Sequence, residues 1–239
     1  MKIYYFRMST LYKVLAVLIT LIVLFGFVIG LVNNKTEPTF RNLDDVFYKG
    51  NTDENVIAFA CNIDWGNEYI PPMLEIFKRN NIKITFFVTG RWADKNRELL
   101  KEIYNHGHEI GNHGYLHRDY SLLSYELNKQ EILKTDKKIS EILNIKSKYF
   151  APPSGAYNKD TVRAAKALNY NVIMWSIDTI DWRKDSTYDK IINRVVSKTH
   201  NCAIVLMHPK EETIKALPTI IRTLNDQGYR IGKISDIIK

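Results

Sequence analysis

Hydrophobic and polar positions fall into blocks along this chain. The first block is uniform: residues 14–32, VLAVLITLIVLFGFVIGLV, are 19 residues without a charge. As a helix this run would extend about 28 Å, close to one hydrocarbon core. Residues 33–53 are polar and aperiodic and read as a linker. From Asn55 onward a regular alternation begins. Short apolar runs, read as buried strands, fall at 56–63, 84–88, 108–112, 148–151, 172–177, 203–207 and 229–231. Between them helical spacing predicts helices over 71–81, 94–105, 121–144, 158–168 with Asn158 as cap, and 188–197. A further helix is expected to start at Pro218 and stop at Gly228, and a short one to end the chain. About seven strand-then-helix units imply a parallel sheet with helices outside, an α/β class more easily closed as a barrel than laid open.

Charge orients this picture. Lys2, Arg7 and Lys13 precede the apolar run, and no acid occurs before residue 37. The positive-inside tendency keeps residues 1–13 cytoplasmic, makes 14–32 a transmembrane anchor and exports the rest. A cleaved signal peptide is the rival reading, but the run is long for one and no A-x-A-like site follows. The expected location is the cell membrane, single-pass, with the domain from residue 54 to 239 outside. The net charge of +8 is spread without basic runs, so no nucleic-acid partner is expected. Such an excess suits an anionic wall or membrane surface, or simply solubility. Cys61 and Cys202 fall in apolar segments; an exported pair is either a disulfide or two small core residues.

In parallel α/β folds chemistry sits where strands end. Four of those ends carry polar clusters: Asn62-Ile63-Asp64-Trp65-Gly66, His113-Gly114-Tyr115-Leu116-His117, Asp178-Thr179-Ile180-Asp181-Trp182 and Met207-His208-Pro209. A fifth end reads Ala151-Pro152-Pro153-Ser154-Gly155. The spacing of His113 and His117 lets two imidazoles face one ion, and Asp64 would complete a two-histidine, one-carboxylate set for a divalent metal. Ligand type alone does not choose among zinc, cobalt, nickel, manganese and ferrous iron. His208 is a proton donor poised near neutrality or a satisfied core-edge residue, with Asp181 able to orient it. His106, His108 and His200 read as structural or surface residues. No G-x-G-x-x-G, Walker A or G-x-S-x-G occurs.

Taken together the five stations resemble the polysaccharide deacetylase family, whose shared unit is the NodB homology domain, over roughly residues 54–239. The likeness is closest to the sporulation-type members, whose first motif also ends in Trp-Gly and whose third reads Pro-Pro-Ser-Gly. The resemblance implies a distorted (β/α)7 barrel that removes N-acetyl groups from amino sugars of a wall polysaccharide such as peptidoglycan. It implies a divalent metal, zinc first, on Asp64, His113 and His117. It makes His208 the general acid, Asp181 its partner and the Ser154 N–H an oxyanion donor. Trp182 and Leu206 would line the acetyl pocket, with Pro153, Tyr157 and Trp65 also against substrate.

The sequence departs from the family pattern in two places. The first motif usually carries two aspartates, base then ligand; here Asn62 stands two residues before a single Asp64. The third motif usually carries an arginine that pairs with the base; here Ala151 stands there. An arginine buried without its carboxylate would cost several kcal/mol, so the two losses belong together. Asn62 then marks a degenerate base position, and an amide accepts no proton near neutral pH. The other alignment makes Asp64 the base and Trp65 a failed ligand. Three functions stay open at this point: a deacetylase of reduced activity, a glycan-binding wall protein of the same fold, and a non-haem iron oxygenase.

Overall fold

The computed structural model describes Tyr12, residues 18–20 and residues 46–239. Asp44–Lys239 forms one compact unit. The run expected to span a membrane, 14–32, lies almost wholly outside the described residues, among which no helix is long and apolar enough to cross a membrane.

The apolar runs form strands as expected: β2 Val56–Ile63, β3 Thr85–Val88, β4 Glu109–Asn112, β5 Tyr149–Phe150, β8 Ile204–Met207 and β9 Arg230–Gly232. Two readings change. The stretch read as linker contributes β1, Val46–Phe47, which pairs with β6, Asn171–Ile173. The run 172–177, read as one strand, is split: β6 pairs with β5, and β7, Ile177–Asp178, pairs with β8. All strand pairs are parallel, in the order β1-β6-β5-β4-β3-β2-β8-β7, with β9 on the first residues of β2. No hydrogen-bonded pair joins β6 to β7. Residues 174–176 link them through the chain itself, with Met174 N–H on Phe47 O at 2.8 Å and Ser176 N–H on Ile204 O at 3.1 Å. The result is a parallel-strand half-barrel with helices outside.

Side chains alternate across these strands with period two. In β2, Ile57, Phe59, Cys61 and Ile63 pack under the helices, whereas Val56, Ala58 and Ala60 face the barrel interior with Phe87, Ala151 and Ile204. The same parity sends Asn62, and then Asp64, to the interior mouth. Small residues at 58, 60 and 151 leave that interior room. Gly111 is fixed by the same crowding: a Cβ there would lie 2.3 Å from the Phe87 ring.

The helices are Ile70–Arg79, Gly90–Lys95, Arg97–Asn105, Tyr125–Leu143, Lys159–Ala167, Tyr188–Val196 and Glu211–Asp226. The helix expected over 94–105 is two, broken at Asn96, which leaves helical geometry and bonds Trp92 O through its amide at 2.9 Å. Asn158 caps its helix with a reciprocal Thr161 box, as expected. Pro218 does not lead a helix but stands inside Glu211–Asp226; burial of Thr213, Ala216, Leu217, Ile220 and Ile221 on one face holds the helix across it. The terminal helix is a single 3₁₀ turn, Ile234–Asp236. Cys61 and Cys202 are both buried and free, the disulfide alternative being absent; Cys202 Sγ meets Thr52 O at 2.9 Å.

His108 is structural, as read: its Nδ1 accepts the Ile84 N–H at 3.1 Å between Phe77 and Phe86. Burial, reinforced by the charges of Lys83 and His106, lowers its pKa to about 3. His113 is likewise lowered to about 3 by burial and by the charge of His117. An unfolded histidine binds its proton near pH 6.5, so below that value the unfolded chain takes up protons the folded one refuses. Stability is therefore full above about pH 6.5 and falls toward pH 3, by about 1.4 kcal/mol per pH unit for each of the two histidines. Urea midpoints at pH 7, 6 and 5 should drop accordingly, and His108→Gln should flatten the slope by one proton's worth.

Candidate active site

One cavity of about 430 Å³ opens at the strand ends, lined by Asn62, Asp64, Trp65, His113, His117, Ser154, Trp175, Asp178, Trp182, Leu206 and His208. Residues from all five strand-end clusters, widely separated in sequence, thus share one space. Pro153 and Tyr157 are not in its lining; Pro153 is buried behind Ser154, and the Tyr157 hydroxyl pairs with that of Tyr48 at 2.7 Å. Asp181 stands behind His208 rather than in the lining. Trp175 lies outside the strand-end clusters, and Asp178 belongs to one of them without an expected role.

The backbone is forced at three of the stations. His117, Ser154 and Ile180 all have positive φ, 55°, 56° and 53°. For a β-branched residue such as Ile180 this is a costly geometry, and such strain gathers at functional sites. It is held by the Asp178 carboxylate, which accepts the Ile180 N–H at 2.7 Å. Gly114, at φ 71°, lets the loop after β4 pass over Tyr120; an added Cβ would lie 2.2 Å from the Tyr120 hydroxyl. Gly114→Ala is expected to lower the unfolding free energy by about 2–4 kcal/mol, combining overpacking with a strained φ, read as a fall in urea midpoint.

His208 and Asp181 form the most complete pair. Asp181 Oδ1 accepts from His208 Nδ1 at 2.7 Å, and Oδ2 accepts the His208 backbone N–H and the Thr213 hydroxyl, each at 2.7 Å. Burial pulls the Asp181 carboxyl upward, but the hydrogen bond and charge of His208, with Thr213, hold it below the ordinary range. The carboxylate fixes the tautomer with Nδ1–H and leaves Nε2 as the exchanging atom. Trp65 stacks on the other side of the ring, centroids 5.8 Å apart at 14°, with Lys210 Nζ 5.2 Å from the Trp65 centroid.

His113 and His117 lie with ring centroids 5.2 Å apart, on a loop and not on a helical turn. His113 Nδ1 bonds Ala151 O at 2.7 Å, which aims Nε2 away from the strand. Asp64 lines the same cavity, but both of its oxygens are engaged by other partners. Its Oδ1 accepts from the Thr89 hydroxyl at 2.6 Å and Arg91 Nε at 2.7 Å, and its Oδ2 pairs with Arg91 Nη2. Burial raises the Asp64 carboxyl, yet these hydrogen bonds and the Arg91 charge bring it below the ordinary range. Among the described residues no three His, Cys, Asp or Glu side chains are grouped so as to hold a metal ion. A catalytic zinc takes three protein ligands; with the carboxylate on Arg91, two imidazoles remain, and the expected set does not fit an ion as it stands. Asn62 sits beside them, 5% exposed, its Oδ1 buried without a partner.

The fold and these stations define a NodB-type domain. The polysaccharide deacetylase family model matches residues 49–173, and the chain belongs to that family. It is similar to the uncharacterized protein YlxY of Bacillus subtilis (strain 168), 40% identical over 191 residues, covering 80% of this chain and 60% of that one. It is 29% identical over 198 residues to the peptidoglycan-N-acetylmuramic acid deacetylase PdaA of the same organism, covering 81% of this chain and 75% of that one. Among solved structures it resembles BA3943, a CE4 family pseudoenzyme from Bacillus anthracis, at TM-score 0.78 and 40% identity over 80% of this chain and 68% of that one.

Proposed function

We propose that this domain removes acetyl groups from N-acetylated amino sugars of cell-wall peptidoglycan, at a rate limited by the missing base, and that residues 14–32 anchor it on the outer membrane face. The observation that carries the reading is the single cavity in which Asn62, His113, His117 and His208 meet under two exposed tryptophans, Trp65 and Trp182. Exposed aromatic faces at a rim offer a sugar ring an apolar surface. The family and the wall-directed relatives support the substrate class. The anchor rests on the apolar run and the basic residues before it.

In this reading the acetamido group lies between Leu206 and Trp182, with the Ser154 N–H toward its carbonyl oxygen. Asn62 Oδ1 can accept a hydrogen bond from the attacking water but cannot take its proton. His208 Nε2 takes that proton and returns it to the leaving nitrogen as the C–N bond breaks, giving acetate and a free amine. One imidazole doing both steps, without a carboxylate base, makes the expected rate slow. Acetate release from N-acetylglucosamine oligomers and peptidoglycan by the full chain, with and without added Zn²⁺, tests the reading. Slow release that disappears in His208→Ala is expected.

A second reading, a glycan-binding protein without hydrolysis, is favoured by the Asn62 amide and by the likeness to BA3943. Glycan binding with no acetate above background would establish it.

A further inference from the structure

Thr89, Gly90 and Arg91 end β3 and open the helix Gly90–Lys95. This turn touches both halves of the expected ligand set. Thr89 donates its hydroxyl to Asp64 Oδ1 and accepts the Trp92 N–H at 3.3 Å, so the helix cap and the carboxylate are one unit. The Gly90 and Arg91 N–H groups bond Gly114 O at 2.9 Å and Tyr115 O at 3.1 Å, holding the loop that carries His113 and His117. No larger residue fits at Gly90, where a Cβ would lie 2.3 Å from the Tyr115 ring. Arg91 Nε and Nη2 then fork over both oxygens of Asp64.

We propose that Arg91 is a built-in cation at this site: its guanidinium occupies the side of Asp64 that a divalent ion held with His113 and His117 would need, and so sets a low metal affinity for the chain. A bidentate guanidinium–carboxylate pair satisfies the same lone pairs that would bind metal. The Asp64 side chain is 9% exposed and Arg91's is 42% exposed, so the carboxylate is fixed while the arginine has room to leave. An entering ion must first displace it.

The test is ion binding by the full chain, read by equilibrium dialysis with Zn²⁺ and by the visible absorption of Co²⁺, neither of which depends on hydrolysis. Arg91→Met is expected to bind one ion per chain at least 10-fold more tightly than the natural chain. Arg91→Lys, a point charge without the fork, should fall between them. The double variant Asp64→Ala/Arg91→Met should lose the gain. Equal affinity in the natural chain and Arg91→Met would overturn the proposal, and so would a gain that survives loss of Asp64. If Arg91→Met does not fold, Arg91→Gln serves the same comparison with the same outcomes.

Discussion

Replacing Asn62 by aspartate is expected to raise acetate release about 10²-fold, the lower end of what a positioned general base contributes. The amide is 5% exposed and its oxygen has no partner, so a carboxylate there enters a site already shaped for it. The position usually occupied by an arginine is Ala151, 4% exposed, which offers no countercharge. Burial therefore raises the new carboxyl toward neutrality, where a general base works best. The same missing countercharge makes the variant less stable at high pH, and Asn62→Asp/Ala151→Arg should recover that stability while lowering the base's pKa. Initial rates of acetate release against pH check both statements. An unchanged rate in Asn62→Asp would show that residue 62 does not hold the attacking water.

The second large effect is expected at Asp181. This carboxylate is 2% exposed and accepts three hydrogen bonds, two of them from His208. Asp181→Ala leaves the three donors without their acceptor, the Thr213 hydroxyl among them fully buried, and is expected to cost about 3–5 kcal/mol of stability. It also frees the His208 tautomer and lowers kcat. His208→Ala should lower kcat by about 10²-fold or more with a far smaller stability change, because the ring stands at the cavity mouth. Comparing urea midpoints with kcat for the two variants separates a positioning carboxylate from a proton-transferring imidazole. If both lost stability equally, His208 would be a structural histidine.

Much of this was legible in the sequence because buried parallel strands are continuous apolar runs. Ile57, Phe59, Val88, Ile110 and Val205 announce their strands without help from partners. The strand-end rule then located Asn62, Asp64, His113, His117, Ser154 and His208, all of which share one cavity. What the sequence concealed depends on pairing. Val46 and Phe47 are too short a run to show a period and become a strand only against Val172 and Ile173. The change of partner between β6 and β7 is invisible because both halves are equally apolar. The orientation of the Asp64 carboxylate is likewise a choice between partners that no local spacing encodes. A clue is present in the chain: Arg91 follows the end of β3 by three positions, at a strand end that carries Thr89 and Arg91 beside the site.

Because β6 and β7 share no ladder and follow each other through residues 174–176, their offset is counted there in residues and not in ladder rungs. Met174 answers to β1 and Ser176 to β8, with Trp175 the one residue between them. Adding or removing one residue at that stitch would throw Asp178, Ile180 and Asp181 out of phase with β8 and uncouple the imidazole from its carboxylate. Drift in chain length, tolerated by most surface connections, is forbidden at this point.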